Sequence, residues 1–120
     1  MIQLKTKLEI VDNSGAKIGS CIKVLNNKSK ASLGDEIILS IKKALPNKKI
    51  KAGEVHKALI IGLKSKTRRI NGSFTKERKN RAILLTKANQ NQGSRSSGPI
   101  NRDIGELFSK KILFLAKKTI

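Results

Sequence analysis

The strongest signals for the fold lie in residues 55–88, which read VHKALIIGLKSKTRRINGSFTKERKNRAILLTKA. Val55–Leu63 is the most hydrophobic part of the chain and predicts a central, largely buried strand. Arg81–Ala88 predicts a further strand. Between the two lies Asn71-Gly72, and these residue types best tolerate the positive φ angles of a type I′ turn. The stretch therefore predicts two strands with a β-hairpin between them.

The predicted hairpin, about residues 64–79, is strongly basic. Its arms carry little apolar material beyond Ile70 and Phe74, so we expect it to project from the fold. Successive strand residues face opposite sides, so Arg68-Arg69 would present charge on both faces, which suits insertion between phosphate backbones. The alternative is a solvated edge that only opposes aggregation. From position 64 to position 81 the basic residues, set against the acid Glu77, are Lys64, Lys66, Arg68, Arg69, Lys76, Arg78, Lys79 and Arg81.

Upstream, apolar residues recur with a period of two, which indicates strands. The expected strands and the breaks between them are, in chain order, Ile2–Ile10, the turn Asp12–Gly15, Ala16–Val24, the loop Asn26–Gly34, Glu36–Ile41 and the break Leu45–Asn47. Gly15, Gly34 and Gly53 are predicted turn residues. Because the chain has almost no aromatic residues to fill a core, we expect core stability to depend on the aliphatic residues Ile60, Ile61, Ile83 and Leu85. Alternation predicts that Ile60 and Ile61 differ in sensitivity unless both faces of their strand are covered.

Downstream, Asn89–Gly98 is polar and predicts a long loop. Ile104, Leu107 and Phe108 then follow the N-cap residue Asn101 at helical spacing. A last strand is predicted at Ile112–Ala116. With five or six short strands filled by aliphatic side chains, the chain predicts one all-β domain over residues 1–120, a small antiparallel barrel.

The composition indicates a folded, polyanion-binding protein. The 120 residues contain 27 Lys and Arg against 8 Asp and Glu, a net charge of +19. The electrostatic field of such a positive charge attracts nucleic acid or an anionic membrane surface. The longest apolar run, Ala58–Leu63, is far shorter than the roughly 20 residues of a membrane-spanning helix. A second basic cluster surrounds Pro46 and consists of Lys42, Lys43, Lys48, Lys49, Lys51 and Lys57.

The residue types also narrow the mode of recognition. The chain has no Trp or Tyr and only 3 Phe, whereas modules that read single-stranded RNA stack bases on two or three aromatics. We therefore expect phosphate and sugar contacts with a folded duplex surface, in which shape is read more than sequence.

The usual constellations of catalysis and metal binding are missing from the sequence. Cys21 and His56 are the only residues of their types, so neither a disulfide nor a Cys/His zinc cluster can form within the chain. Asp35-Glu36 is the only adjacent acid pair, and neighbouring strand residues point apart. We expect no enzymatic activity and no cofactor. Any structural Mg²⁺ would be held by RNA rather than by the protein.

Motifs along the whole chain resemble the universal large-subunit ribosomal protein L14 family. They are Met1-Ile2-Gln3, Asp12–Ala16, Cys21–Leu25, Gly34-Asp35, Ala44–Pro46, Ala58–Ile61, Asn71-Gly72 with Asn80, and Gly98–Ile100. The sequence departs from the family pattern at Glu77, Ile83 and Ser96-Ser97 and in a shorter loop after Leu25.

This resemblance implies a structural protein of the large subunit. Its implied fold is a five-stranded antiparallel β-barrel with a projecting basic hairpin and short C-terminal helices. Its implied partners are large-subunit rRNA, small-subunit rRNA across bridges, the neighbouring protein L19 and a ribosome-silencing factor, with no membrane. By position, Ser94 and Arg95 would face the small subunit. The hairpin and the loop with Lys28 and Lys30 would lie against large-subunit rRNA. Residues expected to bind rRNA as well are Lys42, Lys43, Lys48, Lys49 and Lys51. The alternative is a free-standing cationic nucleic-acid-binding protein.

The amino-acid bias, combined with the departures from the family at Glu77 and Ser96-Ser97, favours a mitochondrial ribosome. The chain has 21 Lys against 6 Arg, with 16 Ile and 9 Asn, as an AT-rich genome would encode. Because the family-like sequence begins at Met1, we expect no transit peptide and therefore synthesis inside the organelle. The alternative is the cytoplasm of an AT-rich bacterium.

Overall fold

The structure, a computed structural model, describes residues 2–12, 14–25, 29–68, 72–86 and Ile100. These residues form seven strands: β1 (Lys7–Ile10), β2 (Ala16–Val24), β3 (Glu36–Ala44), β4 (Val55–Gly62), β5 (Thr67–Arg68), β6 (Phe74–Thr75) and β7 (Arg81–Leu85). They contain no helix, and hence none long and apolar enough to cross a membrane. The all-β prediction is confirmed for the described part of the chain.

Five of the strands close into a barrel in the order β1-β2-β3-β4-β7. The pairs β1–β2, β2–β3, β3–β4 and β4–β7 are antiparallel, whereas β1 and β7 are parallel, with Glu9 opposite Arg81 and Ile10 opposite Ala82. The prediction of an antiparallel barrel is therefore wrong at the closing pair. The reason is geometric: an odd number of strands that alternate in direction brings its first and last strands together running the same way.

The core is aliphatic, and it covers β4 and β7 on both faces. Ile60 and Ile61 are each 0% exposed, although successive side chains of a strand point to opposite faces. Ile83 and Leu85 are also buried. Apolar residues outside the strands belong to the same buried cluster: Ile2, Val11, Ala31, Leu33, Ile50, Leu63 and Ile100. The predicted core residues are thus confirmed, and the exception for a doubly covered strand applies.

Several predicted strand limits differ from the structure. The first strand is confined to Lys7–Ile10, while Ile2 makes only an isolated bridge to Ala31. The third strand does not end at Ile41 but continues to Ala44, which pairs with Ala16. Pro46 restricts only itself and the residue before it, so it leaves the preceding ladder intact.

Asp12 fastens the first turn to the last strand of the barrel. Its carboxylate accepts the backbone N–H of Leu84 at 3.0 Å, a contact across 72 positions of sequence. It also accepts the N–H of Ser14 at 3.2 Å and the Ser14 hydroxyl at 2.5 Å. Asp12 is 9% exposed, and these bonds satisfy the buried carboxylate. The predicted turn residues Gly15, Gly34 and Gly53 all have positive φ angles, which confirms those predictions.

The hairpin and the C-terminal helices remain predictions. β5 and β6 form a two-stranded antiparallel sheet in which Thr67 pairs with Thr75 and Arg68 with Phe74. The turn between them, including Asn71, lies outside the described residues. So do residues 101–120, which carry the predicted helix and last strand.

Candidate nucleic-acid interface

An open groove of about 920 Å³ lies along β1 and the start of β2. Its lining includes basic residues from five separate segments of the chain: Lys7, Lys17, Lys43, Lys48, Lys64, Arg78 and Lys79. We call this surface the basic groove. The acidic residues in its lining are Glu9 and Asp12.

The first turn brings the lysines around Pro46 to one side of the basic groove. The backbone N–H of Leu45 donates to the carbonyl of Gly15 at 2.7 Å. Gly15 has a φ of +110°, and a Cβ atom there would collide with the side chain of Lys48. The glycine thus permits both the turn and the close approach of the Lys43–Lys48 segment.

Asn80 fixes the other side of the groove. Its side-chain oxygen accepts the backbone N–H of Lys64 at 2.9 Å, and its carbonyl accepts the N–H of Glu9 at 3.0 Å. One residue therefore joins the segment after β4 to β1. As a result, Lys64, Arg78 and Lys79 lie beside the lysines of the first two strands.

The electrostatic character of the groove is positive, with seven basic residues and two carboxylates in its lining. The carboxylate of Asp12 accepts hydrogen bonds within the fold. Glu9 Oε2 lies 3.5 Å from Lys79 Nζ, but both side chains are substantially exposed, at 44% and 73%. Such exposed ion pairs contribute little to stability, so Lys79 can still bind a phosphate. The arrangement can attract a polyanion and contact several phosphates at once.

A comparison with known protein families identifies the chain. The sequence model of the family described as Ribosomal protein L14p/L23e matches residues 1–120. The chain belongs to this ribosomal protein family. The match confirms the resemblance at the level of the L14 family, and it associates the chain with ribosomes.

The structure places the residues predicted to bind rRNA in three settings. Those that line the basic groove are Lys43, Lys48, Lys64, Arg78 and Lys79. Those exposed outside its lining are Lys30, Lys42, Lys49, Lys51, Lys66, Arg68 and Lys76. Those outside the described residues are Lys28 and Arg69, together with Ser94 and Arg95 of the predicted intersubunit face.

Arg81, the remaining residue predicted to bind rRNA, forms a mostly buried pair within the protein, whereas the pair of Lys79 with Glu9 is exposed. Its Nε lies 2.7 Å from Glu77 Oε2, and its Nη2 lies 2.6 Å from Glu77 Oε1. The two side chains are only 12% and 16% exposed. This bidentate geometry uses the same donors that would bind a phosphate.

Sequence reasoning missed two residues of the groove, Lys7 and Lys17. Both lie at exposed positions of strands, next to buried neighbours. The alternation on β1 and β2 already placed such lysines on the outer face of the sheet. The sequence pattern did not predict that they lie near Lys64 and Lys79, which are more than forty positions away in sequence.

Cys21 and His56 lie apart from the basic groove. Cys21 is buried, and burial raises the pKa of its thiol, which disfavours the reactive thiolate. His56 Nε2 lies 2.7 Å from Glu54 Oε2, and this hydrogen bond lowers the pKa of the Glu54 carboxyl. Among the described residues, no group of three or more His, Cys, Asp or Glu could hold a metal ion.

Proposed function

We propose that this protein is a structural constituent of the large ribosomal subunit and binds large-subunit rRNA through the basic groove. The observation that carries the proposal is that seven basic residues from five segments of the chain line one groove. Membership of the L14 family supports rRNA as the ligand.

The proposed mechanism is electrostatic. Lys and Arg side chains in the groove displace counterions condensed on the RNA, and the barrel fixes the spacing of the charges. Among the described residues, no aromatic side chain lines the groove and offers bases a platform on which to stack. The contacts are therefore to phosphate and sugar, and they favour a folded RNA surface of matching shape.

The finer parts of the proposal concern assembly. We place Ser94 and Arg95 on the intersubunit face, where they contribute to bridges with small-subunit rRNA. The protein neighbours are L19 and a ribosome-silencing factor, and no enzymatic role is proposed. The amino-acid bias typical of an AT-rich genome, together with the departures at Glu77 and Ser96-Ser97, favours a mitochondrial ribosome over the cytoplasm of a bacterium. A ribosome with reduced rRNA and many proteins absent from bacteria would support that location, and a full bacterial protein complement would refute it.

Sedimentation distinguishes this proposal from the alternative of a free-standing cationic nucleic-acid-binding protein. We expect stable co-migration with the large subunit after a high-salt wash. Recovery mainly with DNA or free RNA would overturn the ribosomal proposal.

A second experiment tests the groove itself with two variants of equal charge. One replaces the groove residues Lys7 and Lys17 with Ser. The other replaces two exposed lysines of the same part of the chain that lie outside the groove lining and are not predicted to bind rRNA, Lys5 and Lys23. We expect the groove variant to lower the slope of log K against log salt by roughly 0.7–0.9 per lost phosphate contact. A smaller change in the groove variant than in its control would place the RNA on another surface.

A further inference from the structure

The loop that carries Arg78 and Lys79 into the basic groove is closed at its base by an ion pair. Glu77 and Arg81 stand at the two ends of this five-residue loop and join through two short hydrogen bonds. Arg78 and Lys79 lie between these two ends and are exposed in the groove lining. We call residues 77–81 the basic loop.

The basic loop is also fixed to the barrel at both ends. At one end, the backbone N–H of Glu77 donates to the carbonyl of Leu63 at 3.0 Å. At the other, Arg81 begins β7 and pairs with both Glu9 of β1 and Gly62 of β4. Asn80, just before it, holds the loop to Lys64 and β1 through the bonds described above.

Gly62 makes room for the carboxylate of Glu77. A Cβ atom at position 62 would overlap Glu77 Oε2 and approach Arg81 Nε. The φ angle of Gly62 is not positive, so the backbone conformation does not require glycine at this position. The ion pair is instead seated over the backbone of β4, where its members are mostly shielded from water.

We propose that Glu77 and Arg81 are positioning residues for RNA binding, which hold Arg78 and Lys79 at a fixed spacing in the basic groove. This inference rests on the proposed function. A loop that is ordered before binding loses less conformational entropy when its side chains meet phosphates. The desolvation cost of a partly buried ion pair offsets much of its attraction, so the pair adds little net stability to the fold. Its role is therefore to position the basic loop.

The test compares Glu77→Gln with Glu36→Gln in binding to large-subunit rRNA. Each substitution removes one negative charge, so a purely electrostatic account predicts stronger binding for both. Glu36 is also partly buried and pairs with Lys57 at 3.2 Å, but it lies outside the groove lining and closes no loop there. We expect Glu36→Gln to bind RNA at least as tightly as the wild type with the same salt slope. For Glu77→Gln we expect the slope to fall by about 0.7–1.8, the loss of one to two phosphate contacts. If wild type and Glu77→Gln bind equally at 1 M salt, this change in slope makes the variant bind about 5- to 60-fold more weakly than the wild type at 0.1 M salt.

Arg81→Lys provides a second variant that leaves the net charge unchanged. It keeps a cation opposite Glu77 but cannot form the bidentate pair. We expect a slope between those of the wild type and Glu77→Gln, measured at a temperature where urea titration shows all variants folded. Binding by Glu77→Gln and Arg81→Lys that equals or exceeds the wild type would overturn the positioning role. If the groove lysine variant also binds as the wild type does, the proposed function fails as well, so the two failures are distinguishable.

Discussion

Truncation of Ile61 to Ala should destabilise the protein as much as truncation of its neighbour Ile60. On a strand with one solvent-facing side, adjacent residues would differ strongly, because their side chains point to opposite faces. Here both are 0% exposed. Each substitution removes three buried carbons, at about 0.8 kcal/mol each, and leaves a cavity that adds to the cost. We expect a loss of about 2–5 kcal/mol of unfolding free energy for each.

The same strand supplies the control. Val55 begins β4 and is 59% exposed, so Val55→Ala should cost less than about 1 kcal/mol. Urea titrations at 25 °C, followed by far-UV circular dichroism, give the midpoint and the slope m for each variant. A cost below about 1 kcal/mol for Ile61→Ala beside a full cost for Ile60→Ala would mean that one face of β4 meets solvent. That result would refute the doubly covered strand and the core built around it.

Two further predictions concern a turn and a titrating pair. Gly15→Ala should lower the free energy of unfolding by about 1–3 kcal/mol more than Gly53→Ala, because both glycines have positive φ but only the first would collide with a neighbour, Lys48. Thermal melting of the two variants checks this, and equal losses would contradict the close approach. His56→Ala should raise the pKa of the Glu54 carboxyl toward its ordinary value of 4.5, which NMR titration of the carboxyl carbon can measure. Because the pKa of Glu54 is lowered in the fold, the pair stabilises above the ordinary carboxyl pKa, and this stability is lost as pH falls through the folded-state value. An unchanged Glu54 titration in the variant would show that the hydrogen bond does not form in solution.

Much of the barrel could be predicted from sequence because its signals are local. The apolar pattern in Ala16–Val24 predicted β2 with the limits found in the structure, although the alternation fails at Ile22, which a register shift leaves 47% exposed. The turn glycines were predicted because a positive φ angle depends on one residue and its immediate neighbours. The family, too, follows from motifs in serial order, and it was confirmed along the whole chain.

The end of β3 and the direction of the closing pair were not obtained in this way. A proline indicates where a strand must stop but not how far the ladder continues toward it, and that distance is set by the partner strand β2. The parallel pair β1–β7 follows from the number of strands in the closed barrel rather than from any property of either strand.

The sequence by itself determined that this protein is a strongly basic, aliphatic-cored β domain of the L14 family, since charge, period and motif order are all written along the chain. Only the tertiary structure decided which charges share one surface. It brought Lys7 and Lys17 to the groove and paired Arg81 with Glu77 over Gly62. The physical reason is that an ion pair or a groove depends on distances in space, and those distances are fixed by barrel closure, which joins residues far apart in sequence.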